Sequence, residues 1–259
     1  MITLYHSSVS TCSQKVRLCL AENNLAWTDR QIDLGAGEHL GEAYLRINPN
    51  GVVPALDHDG KVVIESHVIC EYLDEVFPNE GRRLVPQDAH ARAQMRAWLY
   101  YISEVPTSAI RYPSFNRLFR DVISEANTPE FRERLPLRKS LYRKFGTSGF
   151  SEVEIRESRD ALRQTVERID AATADGAWIM GEQFTLADIC VTPTIVRMQD
   201  IDMSDVWDRL PNFQAWFERI QARPSFAKAF YEGSRLVAPV GRDATADETR
   251  DMLKLKAAR

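Results

Sequence analysis

Residues 7–13 read Ser7-Ser8-Val9-Ser10-Thr11-Cys12-Ser13, a run of hydroxyls and one thiol directly ahead of an apolar-periodic segment. Free backbone N–H groups and the positive dipole end at a helix start favour an anion and lower the pKa of a nearby thiol. Ser10, Thr11 and Ser13 are equally what a plain capped helix start carries. Two further pairs have chemistry in their spacing. Val53-Pro54 closes the run Ile47-Asn48-Pro49-Asn50-Gly51-Val52-Val53-Pro54. A proline entering a strand gives up a ladder donor and belongs at an edge or a special bend. Eleven residues after Pro54, Glu65-Ser66 opens the segment His67-Val68-Ile69-Cys70-Glu71-Tyr72-Leu73. That puts a carboxylate, a hydroxyl and free N–H groups at one helix N-terminus. Together the pairs describe a small site that grips a peptide-like molecule by backbone pairing and by one of its carboxylates.

The elements that must position these residues follow from periodicity. Ile2 to His6 and Trp27 to Leu34 read as strands, Gln14 to Glu22 as a helix packed on a sheet, and Leu40 to Arg46 as a short helix or turn. Ala55-Leu56-Asp57 and Val62-Val63-Ile64 flank Asp59-Gly60, a hairpin signal, and Ser66 to Val76 is helical again. The β-α-β-α-β-β-α order predicts a small mixed sheet with helices on both faces over residues 1–80. A linker is expected near residues 78–87. From residue 88 to 259 the pattern is all-helical, with segments at Ala91–Glu104, Glu152–Ala174, Leu186–Met198 and Asn212–Arg223. Thr185-Leu186-Ala187-Asp188 has the spacing of a structural helix cap. The tail from Pro239 is polar and is expected to lie on the surface or fray.

Between the first two of those helices runs a long insertion, about 106–150, with Arg111, Arg117, Arg120, Arg132, Arg134, Arg138, Lys139, Arg143 and Lys144 interleaved with Tyr112, Phe115, Phe119, Phe131, Tyr142 and Phe145. It reads either as extended helices with a solvated face or as a wall over a substrate pocket.

Composition sets the outer bounds. A 259-residue chain with 44% hydrophobic and 27% charged residues is ordinary for a globular protein, and a net charge of −4 gives no reason to expect nucleic acid. No apolar run approaches the ~18–20 residues of a membrane span, and no leader is evident, so a cytoplasmic location without membrane association is expected. The four cysteines, Cys12, Cys19, Cys70 and Cys190, have no zinc spacing, and no metal is expected.

The Ser10 region, Val53-Pro54 and Glu65-Ser66 together resemble the glutathione transferase superfamily, over nearly the whole chain. The resemblance implies a thioredoxin-like N-terminal domain and an all-helical C-terminal domain, with glutathione as cosubstrate. Val53 matches the residue whose backbone pairs with the cysteinyl part of glutathione ahead of a cis proline, Pro54. Glu65 and Ser66 match the pair holding the γ-glutamyl end. His39, in His39-Leu40-Gly41-Glu42-Ala43-Tyr44-Leu45-Arg46-Ile47-Asn48-Pro49, is similar to the theta-class histidine that meets the glycyl carboxylate; it also reads as an exposed surface histidine. Asp188 matches the capping aspartate of the helical domain. Ser10-Thr11-Cys12 is similar to the Ser-x-Cys of the zeta class and of bacterial reductive dehalogenases, which implies Ser10 for thiolate stabilisation, with Thr11 or Ser13 in reserve. Cys12 reads as an exchange thiol or as a small residue at a crowded helix start.

The stretch His58 to Leu73 and on to Phe77-Pro78 is similar to the bacterial β-etherases, which cleave lignin-derived β-aryl ethers. The chain departs from that pattern at Cys12-Ser13, where an Asn-Ser pair is expected, and at Val52, where a glutamine is expected. The resemblance implies a glutathione thiolate attacking a small aromatic substrate. Reductive dehalogenation or thioether cleavage through Cys12 is the alternative reaction, and a non-catalytic glutathione-binding or partner subunit the alternative role. It also implies a homodimer or a heterodimer with a related subunit.

Overall fold

Ile2, Leu4 and His6 are buried on one side of the first strand, while Thr3 and Tyr5 are half-buried on the other, the two-residue period of a strand between two layers. The structure, a computed structural model, describes residues 1–78 and 83–257, so residues 79–82 of the expected linker lie outside the described residues. Strand β1 (Ile2–His6) pairs in parallel with β2 (Thr28–Gln31) and antiparallel with β3 (Ala55–His58). Strand β3 pairs antiparallel with β4 (Lys61–Ile64), giving the order β2-β1-β3-β4. Asp59 and Gly60, at φ 51° and 82°, supply the two left-handed residues that a tight two-residue hairpin needs.

Helices α1 (Thr11–Glu22) and α3 (Ser66–Val76) bring Val16, Leu20, Ile69 and Leu73 to the main core. The short helix α2 (Glu42–Leu45) serves a second, smaller cluster, where Tyr44 packs with Ile32 and Val53 and against Tyr5. The mixed sheet with helices on both faces is therefore present.

Helix α4 (Ala89–Glu104) begins the helical part, with Asp88 as its N-cap. The insertion is not built of extended helices. It breaks into α5 (Pro106–Ala109), α6 (Arg111–Ser114), a π-helical turn (Phe115–Phe119), α7 (Arg120–Ala126), α8 (Pro129–Glu133) and α9 (Lys139–Phe145). Pro106 and Pro129 open two of these pieces, and Pro136 lies between the last two, each without an N–H to continue a helix. Then follow α10 (Glu152–Ala172), α11 (Leu186–Asp200), α12 (Pro211–Gln221), α13 (Pro224–Ala229) and α14 (Ala246–Ala257). The last lies in the tail expected to rest on the surface or fray, and it is held rather than frayed. Thr245 caps it, Glu248 returns a carboxylate to the Thr245 N–H at 2.9 Å, and Thr249 donates its hydroxyl to the Leu118 carbonyl.

Helix α11 is buried almost all round and starts with the expected cap: Thr185 and Asp188 form a capping box. Asp188 also accepts from the Ile179 N–H at 3.0 Å and the Trp216 indole N–H at 2.9 Å. The start of α1 is fixed from the helical side. Arg197 donates to the Val9 carbonyl at 2.8 Å, Gln14 to the Ser234 carbonyl at 2.9 Å, and Arg17 to the carbonyls of Ala229 and Ser8 at 2.9 Å each. Among the described residues no helix is long and apolar enough to cross a membrane.

Candidate functional site

A cleft of about 230 Å³ lies between the α1 N-terminus and the insertion. Val9, Ser10, Thr11 and Cys12 form its floor, His39 and the 50–53 loop one wall, and Arg111, Ser114, Phe115, Phe119, Arg138 and Tyr142 its roof. Ser10 is the N-cap of α1, its hydroxyl accepting from the Ser13 N–H at 3.3 Å. Thr11 and Cys12 are half-buried beside it. Ser13 does not line the cleft: it is fully buried, and its hydroxyl accepts from the Ser7 N–H at 3.4 Å. Burial pushes the Cys12 thiol up, but Lys15, Arg111 and Arg138, with a hydrogen bond to Ser66, outweigh it and leave the thiol below its ordinary value.

The wall loop is held from behind. The Tyr44 hydroxyl and the Asn48 amide both donate to the Val52 carbonyl, at 2.8 and 2.7 Å. This leaves Val53 on the cleft, with neither its N–H nor its C=O bonded to another described residue, followed by a cis peptide bond to Pro54. Asn50 donates to the Glu65 carboxylate at 3.3 Å. Glu65 sits at φ 69°, a left-handed value that costs a side-chain-bearing residue about 1–3 kcal/mol. Ser66, buried, follows at the start of α3 and touches the Cys12 thiol. The two helix starts, the Val53 loop and the Glu65 carboxylate thus converge, and Ser66 and Cys12 join them. Gly51 lies under the roof at φ 59°, where a Cβ would come within 3.1 Å of both Leu40 and Pro136.

His39 stands on a short 3-10 turn (Glu38–Leu40) and faces the same cleft. Its Nδ1 is buried, with no hydrogen-bond partner among the described residues. Burial, then Arg138 and Arg134, hold the imidazole below its ordinary pKa. The insertion divides its cations. Arg117 and Arg120 pair with Asp243 on the far side, and Lys139 and Arg143 with Glu133. Arg111 and Arg138 face the cleft. Burial, then Arg138, pull Arg111 down to about 10. Phe115 binds the roof together, with ring centroids 6.0 Å from Phe119 and Tyr142 and 6.2 Å from Phe145.

Several residues of the site escaped the sequence. Tyr44, Asn48 and Asn50 hold the loop from within runs already singled out, but a supporting hydrogen bond has no periodicity. Lys15 is fully buried below Cys12, donating to Thr107 at 2.9 Å. A charge on the apolar stripe of Val16 and Cys19 was the signal that could have found it.

Comparison with known proteins places this arrangement in context. Residues 9–76 match the family model "Glutathione S-transferase, N-terminal domain", and residues 152–219 match "Glutathione S-transferase, C-terminal domain". Protein LigF of a Sphingobium species is 29% identical over 244 residues, covering 90% of this chain and 95% of LigF. The crystal structure of β-etherase LigF from the same genus superposes with a TM-score of 0.79 over 88% of this chain and 98% of that one, at 29% identity. A tetrachloro-p-hydroquinone reductive dehalogenase of Sphingobium chlorophenolicum is 26% identical, covering 88% and 95% of the two chains. Glutathione S-transferase 1 of Dianthus caryophyllus is 32% identical over 193 residues, covering 74% and 75%.

Proposed function

The chain belongs to the glutathione S-transferase family, and from that premise we propose that it cleaves β-aryl ethers of aromatic ketones with glutathione as cosubstrate. The observation that carries the reading is the juxtaposition of a serine-capped helix N-terminus with an aromatic, cationic roof across one cleft. Similarity to a β-etherase supports the choice of reaction.

Glutathione supplies the nucleophilic sulfur. Its C–S bond to the substrate forms as the ether C–O bond breaks, and the electron pair leaves on the phenolate. In this proposal the chain binds and orients. The Val53 N–H and C=O pair with the cysteinyl part, on the loop that Tyr44 and Asn48 hold. Glu65 takes the γ-glutamyl ammonium, and Ser66 its carboxylate. His39 turns its unpartnered Nδ1 to the glycyl carboxylate. Ser10 and the free N–H groups of α1 stabilise the thiolate, and Thr11 stands beside it in reserve. Ser13, enclosed beneath the helix start, is assigned no chemical part.

A second reading rests on one specific observation, the cation-lowered Cys12 thiol on the cleft floor. In reductive dehalogenation, that thiolate would take the sulfur of a glutathionyl hydroquinone as a mixed disulfide. The C–S electrons and a proton would stay on the ring. Incubation with glutathione and either a β-aryl ether ketone or a chlorinated hydroquinone, with product identification, separates the two. A glutathione thioether and free phenol from the first, undiminished in Cys12→Ser, are the expected result. Dehalogenation alone, abolished by Cys12→Ser, would overturn it.

A further inference from the structure

We propose that the substrate carries an ionised carboxylate on its aromatic part, and that Arg111 and Ser114 receive it. This inference rests on the glutathione transferase reading above and names the substrate class for the same cleft.

Arg111 and Ser114 stand three residues apart on α6, so their side chains share one helix face, and both line the roof. Neither makes a side-chain hydrogen bond to another described residue. Ser114 is 4% exposed, and its hydroxyl has no hydrogen-bond partner among the described residues. The Arg111 guanidinium, half-buried, has no hydrogen bond or ion pair from any described residue. Among the described residues no aspartate or glutamate lines the roof; Glu65, across the cleft beside Asn50, acts on Arg111 from a distance, while Arg138 faces it from across the roof as a like charge. Burial makes such a cation costly; the Cys12 thiol and Glu65 offset part of that cost, and the like charge of Arg138 adds to it. The arrangement is stable in use when the ligand brings the anions.

Glutathione accounts for only part of that requirement. Its γ-glutamyl carboxylate is assigned to Ser66 and its glycyl carboxylate to His39, with Arg138 acting on His39 from beside it. Arg111 is left over. It lies next to Cys12 electrostatically, at the end of the cleft where the electrophile must sit. The planar guanidinium fork fits a carboxylate with two parallel bonds, and the Ser114 hydroxyl adds a third donor. Phe115 and Phe119 follow on the same stretch of chain and line the cleft, where they can pack against the aromatic part. The whole device lies between the two family-matched segments, 9–76 and 152–219, so its specificity belongs to this chain's insertion.

The test compares 4-methoxybenzoate with its methyl ester as inhibitors of glutathione conjugation to the neutral electrophile 1-chloro-2,4-dinitrobenzene. The acid is expected to compete with the electrophile about 10-fold or more better than the ester. Arg111→Met should weaken it by ~10–100-fold, Arg111→Lys by less and Ser114→Ala by several-fold, with the glutathione KM unchanged. Equal inhibition by acid and ester would overturn the proposal. So would an Arg111→Met variant that raises the glutathione KM and leaves acid inhibition intact, since Arg111 would then serve glutathione. Calorimetric titration of each protein with 4-methoxybenzoate alone reads the Arg111 site without any turnover. Failure of glutathione itself to bind at millimolar concentration would sink the transferase reading separately.

Discussion

The Nζ of Lys15 lies 3.1 Å from the Nε2 of His67, and among the described residues neither is paired with a carboxylate. An ammonium can only donate, so His67 accepts at Nε2 as the neutral ring and its Nδ1–H donates to the Ser103 hydroxyl at 2.8 Å. Burial, then Lys15, push His67 down to about 3. The unfolded chain binds a proton here below about pH 6.5 while the folded one does not. Stability from this site is therefore complete above that value and is lost as the pH falls toward 3, by at most ~1.4 kcal/mol per pH unit. Urea unfolding at pH 6.5 and pH 5 should show about 1.5 kcal/mol less loss in His67→Gln than in the parent. Parallel acid limbs would show that His67 is charged in the fold.

Lys15 also acts on Cys12, which predicts a reactive thiol. Alkylation by iodoacetamide should reach half its maximal rate below the ~8.5 of a free cysteine. Lys15→Met should move that midpoint upward, because a cation favouring the thiolate is gone. A profile identical to free cysteine in both proteins would refute the electrostatic account.

Ser10 and Ser66 should fail in different ways. Ser10→Ala is expected to lower kcat by about 10²-fold with a small change in glutathione KM, as for a donor used mainly when the thiolate forms. Ser66→Ala should instead weaken glutathione binding about 10-fold, the loss of one hydrogen bond to a carboxylate. Steady-state kinetics with calorimetry distinguishes them, and an unchanged kcat in Ser10→Ala would remove Ser10 from the chemistry.

Asp188 is a stability residue. Asp188→Ala leaves the buried N–H groups of Ile179, Thr185 and Trp216 without their acceptor. Each such orphan costs about 1–3 kcal/mol, so a loss of at least ~3 kcal/mol is expected in denaturant titration. A change under 1 kcal/mol would mean the groups find other partners.

The elements legible in the sequence were those with a repeating signal. The hairpin at Asp59-Gly60 and the helix through Leu186 to Met198 carry turn chemistry or apolar period, and each stands within two residues of its expected bounds. The insertion was harder, because its prolines cut it into pieces shorter than the period that would reveal them. Whether Arg111 or Arg117 faced the cleft depended on the π-helical turn that follows Ser114, which shifts the side-chain phase and has no sequence rule. The α14 cap was legible in Thr245 to Glu248, but the polar composition of the tail masked it. His67 was unreadable for another reason: its partner Lys15 lies 52 residues away along the chain.

Gly51 belongs to the first domain, yet it bears on what the second domain admits. A Cβ at that position would meet Pro136 at 3.1 Å, so any side chain there must lift the roof by a few tenths of an ångström. The close approach of the 50–53 loop to the roof at Pro136 therefore depends on a missing carbon in the first domain. In the proposed reading, the gap beside Gly51 and the charge of Arg111 sit in different domains, so each can be altered while the other is left in place.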